Sequence, residues 1–356
     1  MSEKFQNLRL RSNLTQAQLA EIVGVRQATI SALENGHTQP RPATIRALAE
    51  ALKCSTEELE SALMPSSPSD DVMESFSGDW PFLANLDSDL RRGLVTSLIT
   101  DWTHSSTALE GNTITRGDTL FVLTEGLTVS GKSLREHQEI HGHSGALSLM
   151  LSWTHAGRSV GASELHELHR AIQTGVAIDA HAPVGRWKVE PNGTTAITTA
   201  GESSWHDYAH PRDISLLAQE FLKLLNTRPK AVPDFSLLEG SFSSRSRDLL
   251  WLYTEIHLAF VATHPYADGN GRMAQLLANL PLLKAGYPPL MIDASQRRRY
   301  LTLLGDYSLS RGQPKPSEGL VIQNQERLAV ETFFQECWGQ SLKVVEEFHK
   351  KQQTRE

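Results

Sequence analysis

Apolar residues recur every three or four positions along most of this chain, which is the spacing of an amphipathic α-helix. Residues 1–63 are expected to form five short helices. Beyond them, the same spacing predicts longer helices over residues 88–104, 134–155, 163–173, 213–226, 246–263, 270–285, 296–307 and 325–350. The pattern therefore indicates an all-α protein.

One segment departs from the helical pattern. Val184 to Ala200 (VGRWKVEPNGTTAITTA) is rich in β-branched and aromatic residues on both sides of Asn192 and Gly193. An Asn-Gly pair supplies the positive φ angles of a type I′ turn, so the segment predicts a β-hairpin that turns at these two residues. The expected fold class is all-α with one small β-hairpin.

Residues 64–80 differ in composition from the helical segments on either side. Their sequence, MPSSPSDDVMESFSGDW, is rich in Ser, Pro and Asp and has almost no apolar periodicity, which is typical of a linker. We therefore expect a domain over residues 1–63, a linker over residues 64–80, and a larger domain over residues 81–356.

The charge and cysteine content narrow the classes of function. The 356 residues include 34 basic and 41 acidic side chains, a net charge of −7, so bulk-charge binding to nucleic acid or a membrane is not expected. Two cysteines exclude a disulfide scaffold and a four-thiolate zinc site. The sequence shows no 18-residue apolar run and no signal-peptide pattern at its start. These features predict a cytoplasmic protein with no membrane partner.

The N-terminal domain contains two short helices joined by a glycine turn. Thr15 and Gln18 match a capping box at the start of one helix, Gly24 ends it, and a second helix is expected from about Arg26 to Asn35. The segment LTQAQLAEIVGVRQATISALENG resembles the helix-turn-helix domains of the Cro and phage-repressor type. In that type, the second helix enters the major groove of DNA with its N-terminal end first.

The resemblance assigns a DNA-reading role to one face of that second helix. Gln27, Thr29 and Ser31 would point towards the bases of a double-stranded operator, and Ile30 and Leu33 would lie in the core. A homodimer is expected, because domains of this type bind two half-sites. The alternative is a domain that serves only for dimerisation or protein contacts.

A second motif, HPYADGNGR (residues 264–272), lies between two predicted helices. Gly269 and Gly271 allow the backbone to approach a ligand closely, and their amides open a helix N-terminus that favours phosphate. Arg272 adds a planar charged donor, and Asp268 is a hard oxygen ligand suited to Mg²⁺. His264 titrates near neutral pH and can accept a hydroxyl proton. These groups together indicate phosphoryl or nucleotidyl transfer to a hydroxyl.

The motif closely resembles the signature of Fic domains, which has His, Pro, an aromatic residue, any residue and an acid before Gly-Asn-Gly-Arg. Residues 105–115, 125–140, 185–200 and 282–289 resemble further segments of that family. The resemblance implies transfer of AMP from ATP to a Ser, Thr or Tyr hydroxyl of a target protein, with His264 as base and Asp268 as the Mg²⁺ ligand. The implied ATP site comprises Asp268, Gly269, Asn270, Gly271, Arg272, Gln275 and Tyr300. The implied flap, which pairs with the target, includes Lys188, Val189, Glu190, Thr194 and Thr195.

Residues 106–111 (STALEG) resemble the inhibitory motif of the same family. Ser106 and Glu110 are four residues apart and would share one helix face. The resemblance implies that the Glu110 carboxylate pairs with Arg272 and holds ATP in an unproductive position. The family usually has a second arginine where this chain has Gln275, so weaker inhibition is expected. The alternative is an ordinary capped helix end.

Two other functions stay open at this point. The Fic part could be a nucleotide or protein sensor in a transcriptional regulator, or the same site could remove AMP from a modified protein. Residues 126–133 also match the expression G-x4-G-K-[ST] of a P-loop. A P-loop follows a buried strand, whereas residues 118–125 have a helical pattern, so we expect a connector there.

Overall fold

The computed structural model describes residues 3–12, 14–34, 42–56, 59, 76, 78–155, 158–175, 181–227 and 244–355. Contacts within the chain separate two compact units, Met1–Ser67 and Pro68–Glu356. The division falls inside the segment 64–80 that composition marks as a linker. Phe76 and Trp80, near the end of that segment, are buried in the core of the second unit. Their rings therefore belong to the larger domain rather than to a linker.

The first unit has a small apolar core of its own. Leu19, Ile30, Leu33 and Leu48 are buried together in it. The fifth helix expected in this region falls largely on residues outside those described. The described helices are α1 (Glu3–Arg11), α2 (Gln16–Val23), α3 (Gln27–Glu34) and α4 (Pro42–Leu52).

The turn between α2 and α3 forms as the sequence predicts. The Gln18 amide donates to Thr15 Oγ1 at 3.2 Å, and the Thr15 amide donates to Gln18 Oε1 at 2.9 Å. Gly24 ends α2 with a φ of 72°, a left-handed conformation that glycine adopts at little cost. The capping box and the glycine stop are confirmed.

The second unit is built almost entirely from helices. One two-stranded sheet accompanies them among the described residues, so the all-α fold with a single hairpin is confirmed. The helices are α5 (Ser88–Leu109), α6 (Arg116–Glu125), α7 (Leu134–His155), α8 (Ala162–Ile172), α9 (Ile214–Leu225), α10 (Ser244–Thr263), α11 (Asn270–Lys284), α12 (Arg297–Arg311) and α13 (Gln325–Gln353).

Helix α11 lies in the centre of this unit. It is buried almost without interruption from Asn270 to Leu283, and it packs against α10, α7 and α9. A helix with apolar or small residues on all sides is stable only when other elements cover it completely. The short loop of residues 264–269, which connects α10 to α11, is thereby held next to the core.

The hairpin differs from the sequence prediction in its register. Strand β1 (Gly193–Ile197) pairs antiparallel with strand β2 (Ser203–Asp207), so that Gly193 lies opposite Asp207. The chain turns between the strands, where the Thr198 amide donates to the Glu202 carbonyl at 2.8 Å. The prediction of a turn at Asn192 and Gly193 is therefore wrong.

The side chain of Asn192 explains the difference. Its Oδ1 accepts from the Lys188 ammonium at 2.5 Å, and its Nδ2 donates to the Tyr266 carbonyl at 3.3 Å. These contacts hold the start of β1 against the 264–269 loop. The positive φ that the turn requires comes instead from Gly201, at 83°.

Residues 126–133 form a connector between two helices, as expected. Helix α6, not a strand, precedes Gly126. The Lys132 ammonium donates to the Thr113 carbonyl at 2.6 Å and to its hydroxyl at 2.8 Å, so it is engaged within the protein. In the described parts of the chain, no helix has both the length and the apolar character needed to cross a membrane.

Candidate active site

The segment 264–272 passes from the end of α10 into the start of α11. The His264 amide donates to the Phe260 carbonyl at 2.8 Å, although His264 itself has a φ of 47°. Gly269 precedes α11 with a φ of 76°. Left-handed residues at both ends let the chain reverse direction within five residues, which places His264 and the N-terminus of α11 close together.

Asn270 closes this loop from the inside. Its Oδ1 accepts from the Tyr266 amide at 3.0 Å, and its Nδ2 donates to the Tyr266 carbonyl at 2.9 Å. The side chain is only 1% exposed. Asn270 was expected among the phosphate-binding groups, but its side chain is committed to the backbone of the loop.

His169 of α8 supports the loop from outside and was missed as a loop contact by sequence reasoning. Its Nε2 donates to the Asp268 carbonyl at 3.0 Å, and its Nδ1 accepts from the Gly185 amide at 2.8 Å. The ring also stacks on Tyr266, with centroids 3.9 Å apart. Burial lowers the pKa of His169 to about 4, so it stays neutral in one tautomer. Nothing in the local sequence distinguishes it from other histidines nearby.

His264 presents one free ring nitrogen. Its Nδ1 donates to the Val261 carbonyl at 3.3 Å, which leaves Nε2 as an acceptor. The ring stacks on Tyr208 with centroids 3.6 Å apart and planes within 2° of parallel. Burial lowers the pKa of His264 to about 3, and the positive charge of Lys188 contributes to the shift. The imidazole is therefore neutral near pH 7 and can accept a proton.

Lys188 lies behind the loop, although it was expected on the target flap. Its amide donates to the Pro265 carbonyl at 2.9 Å, and its ammonium lies 5.9 Å from the centre of the Tyr208 ring. The residue is 3% exposed, and burial lowers its pKa to about 8. The side chain is therefore buried next to the loop instead of exposed on the flap.

The other expected flap residues lie at or before β1. Thr194 and Thr195 belong to β1, whereas Val189 and Glu190 precede it and are exposed. Two large apolar side chains of the hairpin, Ile197 and Trp205, are more than half exposed. The hairpin thus offers an exposed apolar surface, which sequence reasoning did not identify.

Arg272 and Asp268 form the charged part of the site. Arg272 is 4% exposed, and its Nε has no partner among the described residues. Burial raises the pKa of Asp268, but the hydrogen bond from the Gly269 amide and the charge of Arg272 outweigh it, so the pKa is lowered overall. A buried donor without a partner costs free energy unless a ligand satisfies it.

A cavity of about 290 Å³ opens beside these two residues. Its other walls come from the first turns of α7, including Arg135 and Glu139, and from the end of α8, including Gln173. Two arginines and two carboxylates therefore face one space. Such a mixture suits an anion that carries its own metal ion.

Gln275 and Tyr300 lie deeper in the core. Gln275 is 4% exposed, and in the described structure its amide nitrogen has no partner. The Tyr300 hydroxyl lies 2.9 Å from His257 Nε2. Burial raises the pKa of Tyr300, and the charge of Glu110 adds to the rise, which places Glu110 in the same neighbourhood.

Glu110, at the end of α5, reaches the N-terminus of α11. Its carboxylate lies so close to Gly271 that a β-carbon there would collide with it. The carboxylate contacts Gly271. Among the described residues it has no ion-pairing partner, so the expected ion pair with Arg272 is not formed. Burial of the carboxylate raises the pKa of Glu110 against the opposing charge of Arg272. Ser106, one turn earlier, is buried, and its hydroxyl has no partner among the described residues.

Helix α3 of the first unit carries the expected DNA-reading residues. Ile30 and Leu33 are buried, as the helix-turn-helix pattern predicts. Gln27 is exposed at the N-terminal end of α3, whereas Thr29 and Ser31 are half-buried. The first turn of α3 therefore presents Gln27 most fully to a partner.

Comparison with known proteins agrees with both units. The Fic/DOC family matches residues 160–282, and a helix-turn-helix family matches residues 5–59. A protein adenylyltransferase Fic of Drosophila persimilis is 30% identical over 201 residues, 56% of this chain and 34% of that protein. Its counterpart in Drosophila melanogaster is 29% identical over 201 residues, 56% of this chain and 36% of that protein. The chain thus spans about a third of the length of these curated relatives.

Two solved structures have a similar fold. A Fic domain containing signaling protein from Bacteroides thetaiotaomicron superposes with a TM-score of 0.62 and 25% identity, over 79% of this chain and 97% of that one. Fic-1 from C. elegans superposes with a TM-score of 0.55 and 21% identity, over 96% of this chain and 89% of that one.

Proposed function

We propose that the second unit of this chain transfers AMP from ATP to a hydroxyl side chain of a target protein. Residues 160–282 of that unit match the Fic/DOC family, and residues 5–59 of the first unit match a helix-turn-helix family. The observation that carries the proposal is the loop 264–272. It brings three groups into one site: a neutral imidazole, a buried arginine whose Nε has no partner among the described residues, and a helix N-terminus without a side-chain cap.

The loop residues have different roles in the proposed reaction. His264 Nε2 takes the proton of the target hydroxyl, whose oxygen forms a bond to the α-phosphorus of ATP. The bond between that phosphorus and the bridging oxygen to the β-phosphorus breaks, and pyrophosphate leaves. Arg272 and the amides at the start of α11 stabilise the negative charge that develops on the phosphate oxygens.

Asp268 fits a magnesium ion. Its pKa is lowered, so it is ionised near neutral pH, and its Oδ1 accepts from the neighbouring Gly269 amide at 2.7 Å. No group of three His, Cys, Asp or Glu side chains in the described structure is arranged for a metal. A single carboxylate is sufficient for Mg²⁺ that is held mainly by water and substrate phosphates. When bound, the ion would neutralise charge on ATP.

Glu110 is proposed to inhibit this reaction. Its carboxylate fills the space directly beside Gly271, where a phosphate would otherwise meet the first amides of α11. ATP must therefore displace the carboxylate to reach its reactive position. The proposal rests on this steric overlap rather than on an ion pair.

The first unit is proposed to bind an operator as a homodimer. The exposed Gln27 at the start of α3 can form two hydrogen bonds to adenine. In a gel-shift titration with DNA from upstream of the protein's own gene, Gln27→Ala should weaken binding about 10-fold. The control Gln6→Ala, on α1, should bind like the wild type. Equal binding of unrelated DNA fragments would refute sequence reading by α3.

The transfer reaction is tested with α-labelled ATP, Mg²⁺ and host lysate. Labelled protein bands are expected, and His264→Ala should reduce their rate of labelling at least about 100-fold, because a general base is lost. ATP binding should persist, since the phosphate-binding groups are unchanged. His349→Ala, which removes only a contact to the Phe82 carbonyl, is the control. Labelling by His264→Ala at the wild-type rate would refute the base assignment.

A further inference from the structure

The cavity beside Asp268 and Arg272 does not extend to His264. Its walls come from α7, the end of α8, the loop and the start of α11, and the imidazole is not among them. In the proposed reaction, the phosphate under attack must lie within reach of His264. A cavity on the far side of Asp268 and Arg272 is therefore available to the rest of the triphosphate.

The cavity contains one cation besides Arg272. Arg135 belongs to the first turn of α7 and lines the same space, and its charge helps to lower the pKa of Asp268. A cation in the first turn of a helix is unfavourable, because the N-terminus already carries partial positive charge. The Glu139 carboxylate, one turn later, compensates for part of this charge, and an anion bound in the cavity would compensate for more.

The local contacts of Arg135 orient its side chain and engage only one of its nitrogens, Nε, among the described residues. Its Nε donates to Glu139 Oε1 at 3.2 Å, and Glu139 Oε2 in turn accepts from Asn112 Nδ2 at 2.9 Å. The two terminal nitrogens of Arg135 have no protein partner within the described part of the chain, and the side chain is 76% exposed. The guanidinium thus has its bidentate edge available to a ligand.

We propose that this cavity receives the pyrophosphate that leaves from ATP, and that Arg135 and Arg272 are its two cationic ligands. The inference rests on the proposed AMP transfer. When the oxygen of the target bonds to the α-phosphorus, the bridging oxygen departs with the β- and γ-phosphates, whose negative charge needs more than one cation. Gln275 is uncharged and buried, so it supplies no second cation, whereas Arg135 does.

Inorganic pyrophosphate is the direct probe of this site. Its binding to the full-length chain is measured by calorimetry at low salt with Mg²⁺ present, next to that of AMP, which lacks the two outer phosphates. Arg135→Gln should weaken pyrophosphate binding about 10-fold, the effect of one charge-assisted hydrogen bond at an exposed position. AMP binding should not change, and Arg135→Lys should restore part of the loss.

Arg158 provides a matched control. It is also an exposed arginine, and it pairs with Glu164 at 3.2 Å, the same separation as that between Arg135 and Glu139. Arg158→Gln should bind pyrophosphate like the wild type. In the transfer assay, Arg135→Gln should raise the KM for ATP about 10-fold, in line with the loss of pyrophosphate affinity.

Three results would overturn the inference: no pyrophosphate binding by the wild type, wild-type affinity in Arg135→Gln, or equal loss of AMP and pyrophosphate binding in that variant. If the wild type still transfers AMP from ATP in any of these cases, the proposed function stands and only the role of the cavity is wrong. If the wild type neither binds ATP nor transfers AMP, the proposed function fails as well.

Discussion

His264 is neutral for a physical reason that can be tested by titration. The enclosed ring and the Lys188 ammonium both disfavour the imidazolium, and together they bring the pKa to about 3. A base works only in its neutral form, so activity is lost as the pH falls through that pKa. The acidic limb of the reaction should therefore lie well below 6.5, the usual pKa of histidine.

The corresponding prediction concerns the pH profile of kcat/KM for labelling. Between pH 7.5 and pH 5.5 we expect no acidic limb in the wild type. Lys188→Met removes the neighbouring charge and should move the limb to higher pH, because the imidazolium is then less disfavoured. A wild-type limb centred near pH 6.5 would show that the ring is not desolvated during the reaction.

Glu110 yields a second prediction at this scale. Glu110→Gly should raise labelling about 10-fold, because the carboxylate that overlaps the site at Gly271 is removed while no ion pair has to be broken. Glu125→Gly changes a glutamate at the end of α6 in the same way and should have no effect. A Glu110→Gly variant no faster than the wild type, with ATP binding confirmed, contradicts the inhibitory role. Loss of AMP removal from modified target in that variant would indicate that Glu110 positions a water molecule instead.

Among the elements, the helices can be predicted from local sequence, whereas the register of the hairpin cannot. Apolar spacing over ten or more residues defines α7 or α11 on its own, since each helix needs only its own periodicity. The hairpin register depends on a contact from elsewhere in the chain. The side chain of Asn192 is hydrogen-bonded to the Lys188 ammonium and to the Tyr266 carbonyl, so the Asn-Gly pair does not form the turn. Local turn propensity is outweighed by this tertiary hydrogen bonding.

The hairpin itself can be perturbed at Gly193. A β-carbon there would lie 2.5 Å from the His206 carbonyl oxygen across the two strands, which is closer than van der Waals contact allows. Gly193→Ala should therefore distort β1 and β2 and lower target labelling severalfold, while ATP binding stays unchanged. Gly117→Ala, in the first turn of α6 with open space around it, is the matched control and should label target at the wild-type rate. Normal labelling by Gly193→Ala would show that the hairpin does not contribute to target binding.

At the scale of the whole molecule, the site combines one continuous segment with several distant residues. The segment 264–272 is recognisable in sequence because its chemistry is contiguous. His169, Lys188, Glu110 and Arg135 come from separate elements, and their approach to the loop depends on helix packing. Sequence resemblance drew attention to Glu110 and Lys188, but not to the contact of Glu110 with Gly271 or the position of Lys188 behind the loop.

Buried histidines make the stability of the second unit sensitive to acid. His143 and His257 are fully buried, and burial lowers the pKa of each to about 3. Below pH 6.5 the unfolded chain binds protons that the folded chain does not, so stability falls as the pH falls. Each site contributes about 1.4 kcal/mol per pH unit between about pH 5.5 and pH 4. Together they predict a slope of roughly 2.7 kcal/mol per pH unit from these two groups.

Chemical denaturation of the full-length chain at several pH values checks this slope. His143→Gln can keep the contact to the Thr103 hydroxyl while it removes one titrating group, so the slope should fall by about 1.4 kcal/mol per pH unit. An unchanged slope in His143→Gln would mean that this histidine is not desolvated in the folded state.

The left-handed backbone conformation of His264 affects which substitutions the chain would tolerate during evolution. A residue other than glycine at a φ of 47° costs roughly 1 kcal/mol or more, and Gly or Asn would occupy the position at less cost. Asn270, by contrast, stabilises the loop through two buried hydrogen bonds to the backbone of Tyr266. A lineage that ceased to use the reaction would gain stability by replacing His264 and would lose stability by replacing Asn270. Inherited loss of activity should therefore begin at position 264 and leave the Gly-Asn-Gly sequence intact.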